Sequence, residues 1–65
     1  MKVNRSKLEL AMARACMSPA DLENKAVLPR PTLNNVIVGR SVRPVTIGRI
    51  AKALGCDVTE ILENE

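Results

Sequence analysis

The chain of 65 residues has no Phe, Tyr or Trp and no His. Without aromatic rings it lacks the stacking platforms that hold single-stranded nucleic acid. Without His or Tyr, and with only Cys16 and Cys56 as isolated thiols, it offers no nucleophile paired with a base, so an enzyme is not expected. Two thiols alone do not complete a tetrahedral zinc site, and no cofactor is expected either. The three glycines, Gly39, Gly48 and Gly55, are too far apart to cradle a phosphate in one loop. No apolar run approaches the roughly 20 residues of a membrane span. Nor does a long apolar run follow Met1–Ser6, as a secretory signal requires. The simple expectation is a cytoplasmic protein with reduced thiols, each Cys serving as a small buried apolar residue.

One further absence is local. Between Asn24 and Cys56 there is no acidic residue, against six basic ones: Lys25, Arg30, Arg40, Arg43, Arg49 and Lys52. That block carries +6, although the whole chain carries only +3. The acids lie on either side: Glu9, Asp21 and Glu23 before it, and Asp57, Glu60, Glu63 and Glu65 after it. A concentrated positive field of this kind suits a polyanionic partner.

Apolar residues make up 46% of the chain, which fits one globular domain over residues 1–65. A chain this short buries only about 60% of the surface its unfolded form exposes, so modest stability is expected. Its core has to be built from Leu, Ile, Val, Met and Ala, which suits short, closely packed helices. Five are expected, and no strand. Helix 1 covers about Arg5–Ala15, with Leu8, Ala11, Met12 and Ala15 on one face. Ser6 and Glu9 have capping-box spacing there, with Asn4 as a competing cap. Helix 2 starts after Ser18, with Pro19 in the first position and Asp21 at the positive end. It ends near Lys25 or Ala26, before a Val27-Leu28 elbow. Helix 3 begins near Pro29-Arg30-Pro31, turns Leu33, Val36 and Ile37 inward, and stops at Gly39. After a basic loop, Arg40–Pro44, Thr46 caps helix 4 at about Ile47–Leu54, which Gly55 ends. Asp57 and Glu60 repeat the capping-box spacing and predict helix 5 at Val58–Leu62.

Two short helices joined by a tight elbow, the second one polar outside, form a helix-turn-helix. Ser18 before helix 2, Leu22 on it and Gly39 after helix 3 fall at the spacing of the phage-repressor-like (XRE) helix-turn-helix family, which the chain resembles. Residues Arg43–Gly55 closely follow that family's fourth helix, and Asp57–Leu62 look like its fifth. The resemblance spans roughly residues 5 to 63. It implies an all-α, compact five-helix DNA-binding domain with helix 3 in the major groove of double-stranded DNA.

Carried over residue by residue, the base-reading positions are Arg30, Pro31, Thr32, Asn34 and Asn35. The residue types suit base recognition, since Arg bridges guanine O6 and N7, Asn bridges adenine N6 and N7, and the Thr methyl meets a thymine methyl. For Arg30 a phosphate contact is an equal rival. Arg40 and Arg43, flanking the loop, are candidates for phosphate, with Ser18 beside them, although its capping role alone explains its presence. Arg49 and Lys52 are read as contributors to the field only. Four positions depart from the family pattern. Pro19 stands where Gln is common and Glu23 where a small Ala is common, so the helices either splay or Glu23 tilts outward. Val27 replaces the elbow Gly, which predicts an irregular elbow. Ile37 replaces a common Glu and extends the apolar face.

The expected function is a small transcriptional regulator, a repressor occupying an operator. The alternative is a protein-interaction module or antitoxin using the same fold through Val36, Ile37 and Val38, although burial of those three explains them as well. A monomer or weak homodimer that pairs on DNA is expected, with Val58, Ile61 and Leu62 as the candidate pairing surface unless they belong to the core.

Overall fold

The computed structural model describes residues 1–63. Four helices, α1 (Arg5–Ala15), α2 (Pro19–Ala26), α3 (Arg30–Ile37) and α4 (Pro44–Leu54), are followed by a single 3-10 turn at Val58–Glu60. At the start of α1, Asn4 and not Ser6 provides the cap, its side chain accepting from the Lys7 N–H at 3.0 Å. Glu9 instead takes the Arg5 Nε at 3.2 Å. At the start of α2, Ser18 and Asp21 cap each other reciprocally, with Pro19 in the first turn. Proline loses nothing there, because a first-turn amide has no partner inside the helix.

α4 starts earlier than the sequence suggests. Pro44 and not Ile47 opens it, and Thr46 is not its cap but a buried first-turn residue whose N–H donates to Arg43 O at 3.0 Å. Gly55 ends it with φ 70, a conformation a residue with a Cβ adopts only under strain.

The fifth helix is the clearest correction. The Asp57–Glu60 box forms as expected, with the Asp57 N–H donating to Glu60 Oε2 at 2.9 Å, but only one 3-10 turn follows. The chain is then drawn to the N-terminal segment. The Asn4 N–H donates to Ile61 O at 2.8 Å and the Glu63 N–H to Lys2 O at 3.0 Å. Between them Val3 and Leu62 form an antiparallel bridge, strand-like pairing that the sequence did not signal. Backbone pairing with a distant segment has overridden local helical preference.

The core is aliphatic, as composition requires. Leu8, Leu22, Leu33, Val36, Ile47, Ile50 and Ile61 are each less than 2% exposed. Burying each such side chain contributes about 1.5–3 kcal/mol. α4 lies at the centre, taking the closest packing from α2 and further contacts from α1 and the 3-10 turn. Val58 and Leu62 pack partly buried on this core and Ile61 is wholly inside it. Of the three residues expected to pair two copies, Ile61 therefore belongs to the core, while Val58 and Leu62 keep part of their surface uncovered.

Candidate nucleic-acid interface

Leu33 and Val36, at 1% and 0% exposure, fix which side of α3 faces inward. The other side is thereby turned out: Arg30, Pro31 and Asn34 are exposed, and Thr32 and Asn35 are half-buried. The amides, the hydroxyl and the guanidinium expected to read bases thus occur together on one eight-residue helix set on a rigid core. The loop that follows is anchored at both ends. The Arg40 N–H donates to Asn35 O at 2.9 Å, and the Val42 N–H donates to Met1 O at 2.7 Å. Arg40 and Arg43 stand exposed on either side of the half-buried Val42. The Met1 ammonium also donates to Val42 O at 3.1 Å and to the Ser41 hydroxyl at 3.2 Å. This N-terminal brace had no signal in the sequence, because it joins residues some forty positions apart, mainly through backbone atoms.

The helix starts differ in kind. α3 begins at Pro29 and α4 at Arg43, neither with a side-chain cap and neither with an acid in the first turn. Their first-turn amides, those of Arg30 and Thr32 in α3 and of Val45 in α4, meet no capping side chain among the described residues. Uncapped donors at the positive end of a helix dipole favour an anion.

Ser18 has a different setting. Its hydroxyl donates to Asp21 Oδ2 at 3.0 Å and accepts from the Asp21 N–H at 3.2 Å. The Ser18 backbone N–H, then the Ser18 hydroxyl, hold the Asp21 carboxyl below the usual aspartate range. A phosphate brought to Ser18 would meet that carboxylate, so the serine acts here as a cap.

At the elbow, Val27 takes φ 55 and ψ 53, the left-handed conformation that a glycine adopts without strain. The expected irregularity does not occur. A β-branched residue instead holds the regular turn and is 75% exposed. Glu23 points along the elbow, and its Oε2 accepts from Arg30 Nε at 2.6 Å. The Glu23 side chain is 23% exposed and that of Arg30 65%. This pairing was not foreseen from the sequence. Its signal was opposite charges seven residues apart, bracketing a turn tight enough to bring them together.

The remaining basic residues of the acid-free block are placed elsewhere. Lys25, Arg49 and Lys52 line an open hollow with Ala26, Val27 and Ala53, between α2 and α4. Ile37 is half-buried beside Leu8, Met12, Met17 and Pro19 in a shallow apolar groove of about 390 Å3. Val36 is buried, but Val38 is 65% exposed, so burial does not account for all three apolar residues at the end of α3. Of the cysteines, expected to be buried, Cys16 is exposed and ends α1 at φ 55, while Cys56 is half-buried. Burial, followed by Glu60 and Asp57, raises the Cys56 thiol.

A capped helix, a three-residue elbow at 27–29 and a second helix with a polar exterior define a helix-turn-helix domain. Residues 7–65 match the family profile of the Cro/C1-type HTH DNA-binding domain, and the chain belongs to that family. No curated protein and no solved structure matches the chain significantly. No helix among the described residues is long and apolar enough to cross a membrane.

Proposed function

We propose that the protein is a sequence-specific double-stranded DNA-binding regulator that represses by occupying an operator. In this reading α3 lies in the major groove. Arg30, Pro31, Thr32, Asn34 and Asn35 face base edges, and Arg40 and Arg43 grip phosphates. One observation carries it: an outward row of exposed Arg30 and Asn34 with half-buried Thr32 and Asn35, on a helix held by Leu33 and Val36, within a segment that has six cations and no acid. Ser18 is left out of the phosphate set because its hydroxyl serves Asp21. Two copies pairing on adjacent half-sites would not use Ile61, which lies wholly inside the core.

Selection of bound sites from random duplexes, followed by fluorescence anisotropy on the winner, tests this reading. A defined site should emerge, and binding should weaken with salt at about 0.9 log units per neutralised phosphate for each tenfold rise. Absence of binding even at low salt refutes it.

A protein-binding role has its own support in Val38 and the groove beside Ile37. It predicts salt-insensitive capture of a protein partner by a chain with no affinity for DNA, whereas an antitoxin would bind both DNA and a toxin.

A further inference from the structure

We infer that Glu23 is a specificity-determining positioning residue, which holds the Arg30 guanidinium end-on so that Arg30 reads a guanine and does not grip a phosphate. The inference rests on the DNA-binding reading above and resolves the rivalry at Arg30.

The two side chains come from two helices fixed independently. Glu23 follows Leu22, which is 0% exposed, on a helix locked by the Ser18–Asp21 box. Arg30 is the first residue of α3, whose seating is set by Leu33 and Val36. With elbow residue Val27 in a fixed left-handed conformation, the distance between the two backbones is set by the scaffold. The 2.6 Å contact therefore joins rigid parts, and Glu23, mostly buried, has little freedom to swing away.

The atom engaged decides what Arg30 can do. An arginine presents two parallel donors to guanine O6 and N7 either through Nε and one Nη or through both Nη groups. Glu23 takes Nε, which leaves the end-on pair. The Nη groups make no hydrogen bond among the described residues, and 65% of the side chain is exposed. Charge points the same way. With a carboxylate 2.6 Å away, the guanidinium is neutralised as seen from a phosphate and would release little counterion there. A guanine edge is an uncharged pair of acceptors that aligned donors still satisfy, without need of net positive charge.

The experiment uses the full chain on the duplex selected by the wild type, on variants with each G·C pair replaced in turn, and on a random duplex, over a salt series. For Glu23→Ala we expect the preference for one guanine to fall about tenfold, the discrimination a good bidentate pair supplies. Binding to the random duplex should strengthen, and its salt slope should steepen by about 0.9, as a freed Arg30 finds a phosphate. Glu23→Gln, which keeps an acceptor for Nε, should retain most of the guanine preference. Arg30→Ala should abolish it at the same base pair, and adding Glu23→Ala to Arg30→Ala should lower it no further. Two outcomes overturn the inference alone: Glu23→Ala keeps the guanine preference, or it tightens selected and random duplexes equally, as a mere brake would. A wild type that selects no site overturns the DNA-binding reading, and this inference with it.

Discussion

The helix starts of this domain fall into two groups. α1, α2 and the 3-10 turn each begin on a side chain that accepts from the first turn: Asn4, Ser18 and Asp57. α3 and α4 begin on Pro29 and Arg43, with no accepting side chain and no acid in the first turn. Capping contributes about 1 kcal/mol per helix, so an uncapped start is a stability left unrealised. In a domain this small that is a substantial omission, and it occurs at the two helices bracketing the basic loop. The capped starts are complete within the protein. The uncapped ones leave backbone donors at the positive end of the helix dipole, where an anion can complete them.

Closing an uncapped start is the sharpest way to break this contrast. Pro29→Asp gives α3 an acceptor. Stability should stay within about 0.5 kcal/mol, since the new cap offsets the lost rigidity of proline. Affinity for the selected duplex should fall about tenfold, the effect of a carboxylate at the groove replacing a site for negative charge. Chemical unfolding and anisotropy on the same sample check both halves. Arg43→Ala tests the other uncapped start, with a smaller expected effect. Binding should weaken several-fold on every duplex alike, with the salt slope reduced by about 0.9.

The capped starts should behave in the opposite way. Ser18→Ala should lower stability by about 1 kcal/mol and leave DNA affinity unchanged. Its pH dependence has a defined sign. Hydrogen bonds from Ser18 depress the Asp21 carboxyl in the folded state, and those from Thr59 depress Asp57. Their stabilisation is fully present above the unfolded aspartate value of about 3.9 and is lost as pH falls through the lower folded values. Asp21→Asn should therefore flatten the acid limb of a stability–pH curve. The smallest effect is at the elbow. Val27→Gly relieves a left-handed β-branched residue that is 75% exposed, and should raise the unfolding free energy by roughly 0.5–1 kcal/mol with the same operator preference.

The contrast was only half legible in the sequence. Local signals located α1 from Arg5 to Ala15, the Ser18 cap and the stops at Gly39 and Gly55, because caps and left-handed residues act over a few positions. Thr46 misled because an N-cap residue type also serves as a buried first-turn residue once Pro44 has opened the helix. The capping box at Asp57 was legible, but the length of what followed was not, since residues 61–63 pair with residues 2–4 from the opposite end of the chain. In the candidate interface, residue types and helix period pointed to the outward row from Arg30 to Asn35. The Glu23–Arg30 pair had only a faint signal, opposite charges on either side of the elbow, and the Met1–Val42 brace is a tertiary contact invisible to any local window. Glu23 and Val27 stood out as departures from a family pattern. The structure gives each a physical role, one as a partner for Arg30 and the other as a strained substitute for glycine.

In the proposed complex, DNA completes the uncapped helix starts. Amide chemical-shift changes in the isotope-labelled protein, titrated with the selected duplex, test it most directly. The largest changes should fall on Arg30–Asn35 and on Arg40–Val45, with those near Asn4 and Asp57 small. Largest changes at the capped starts, or on α1 and the 3-10 turn, would contradict it.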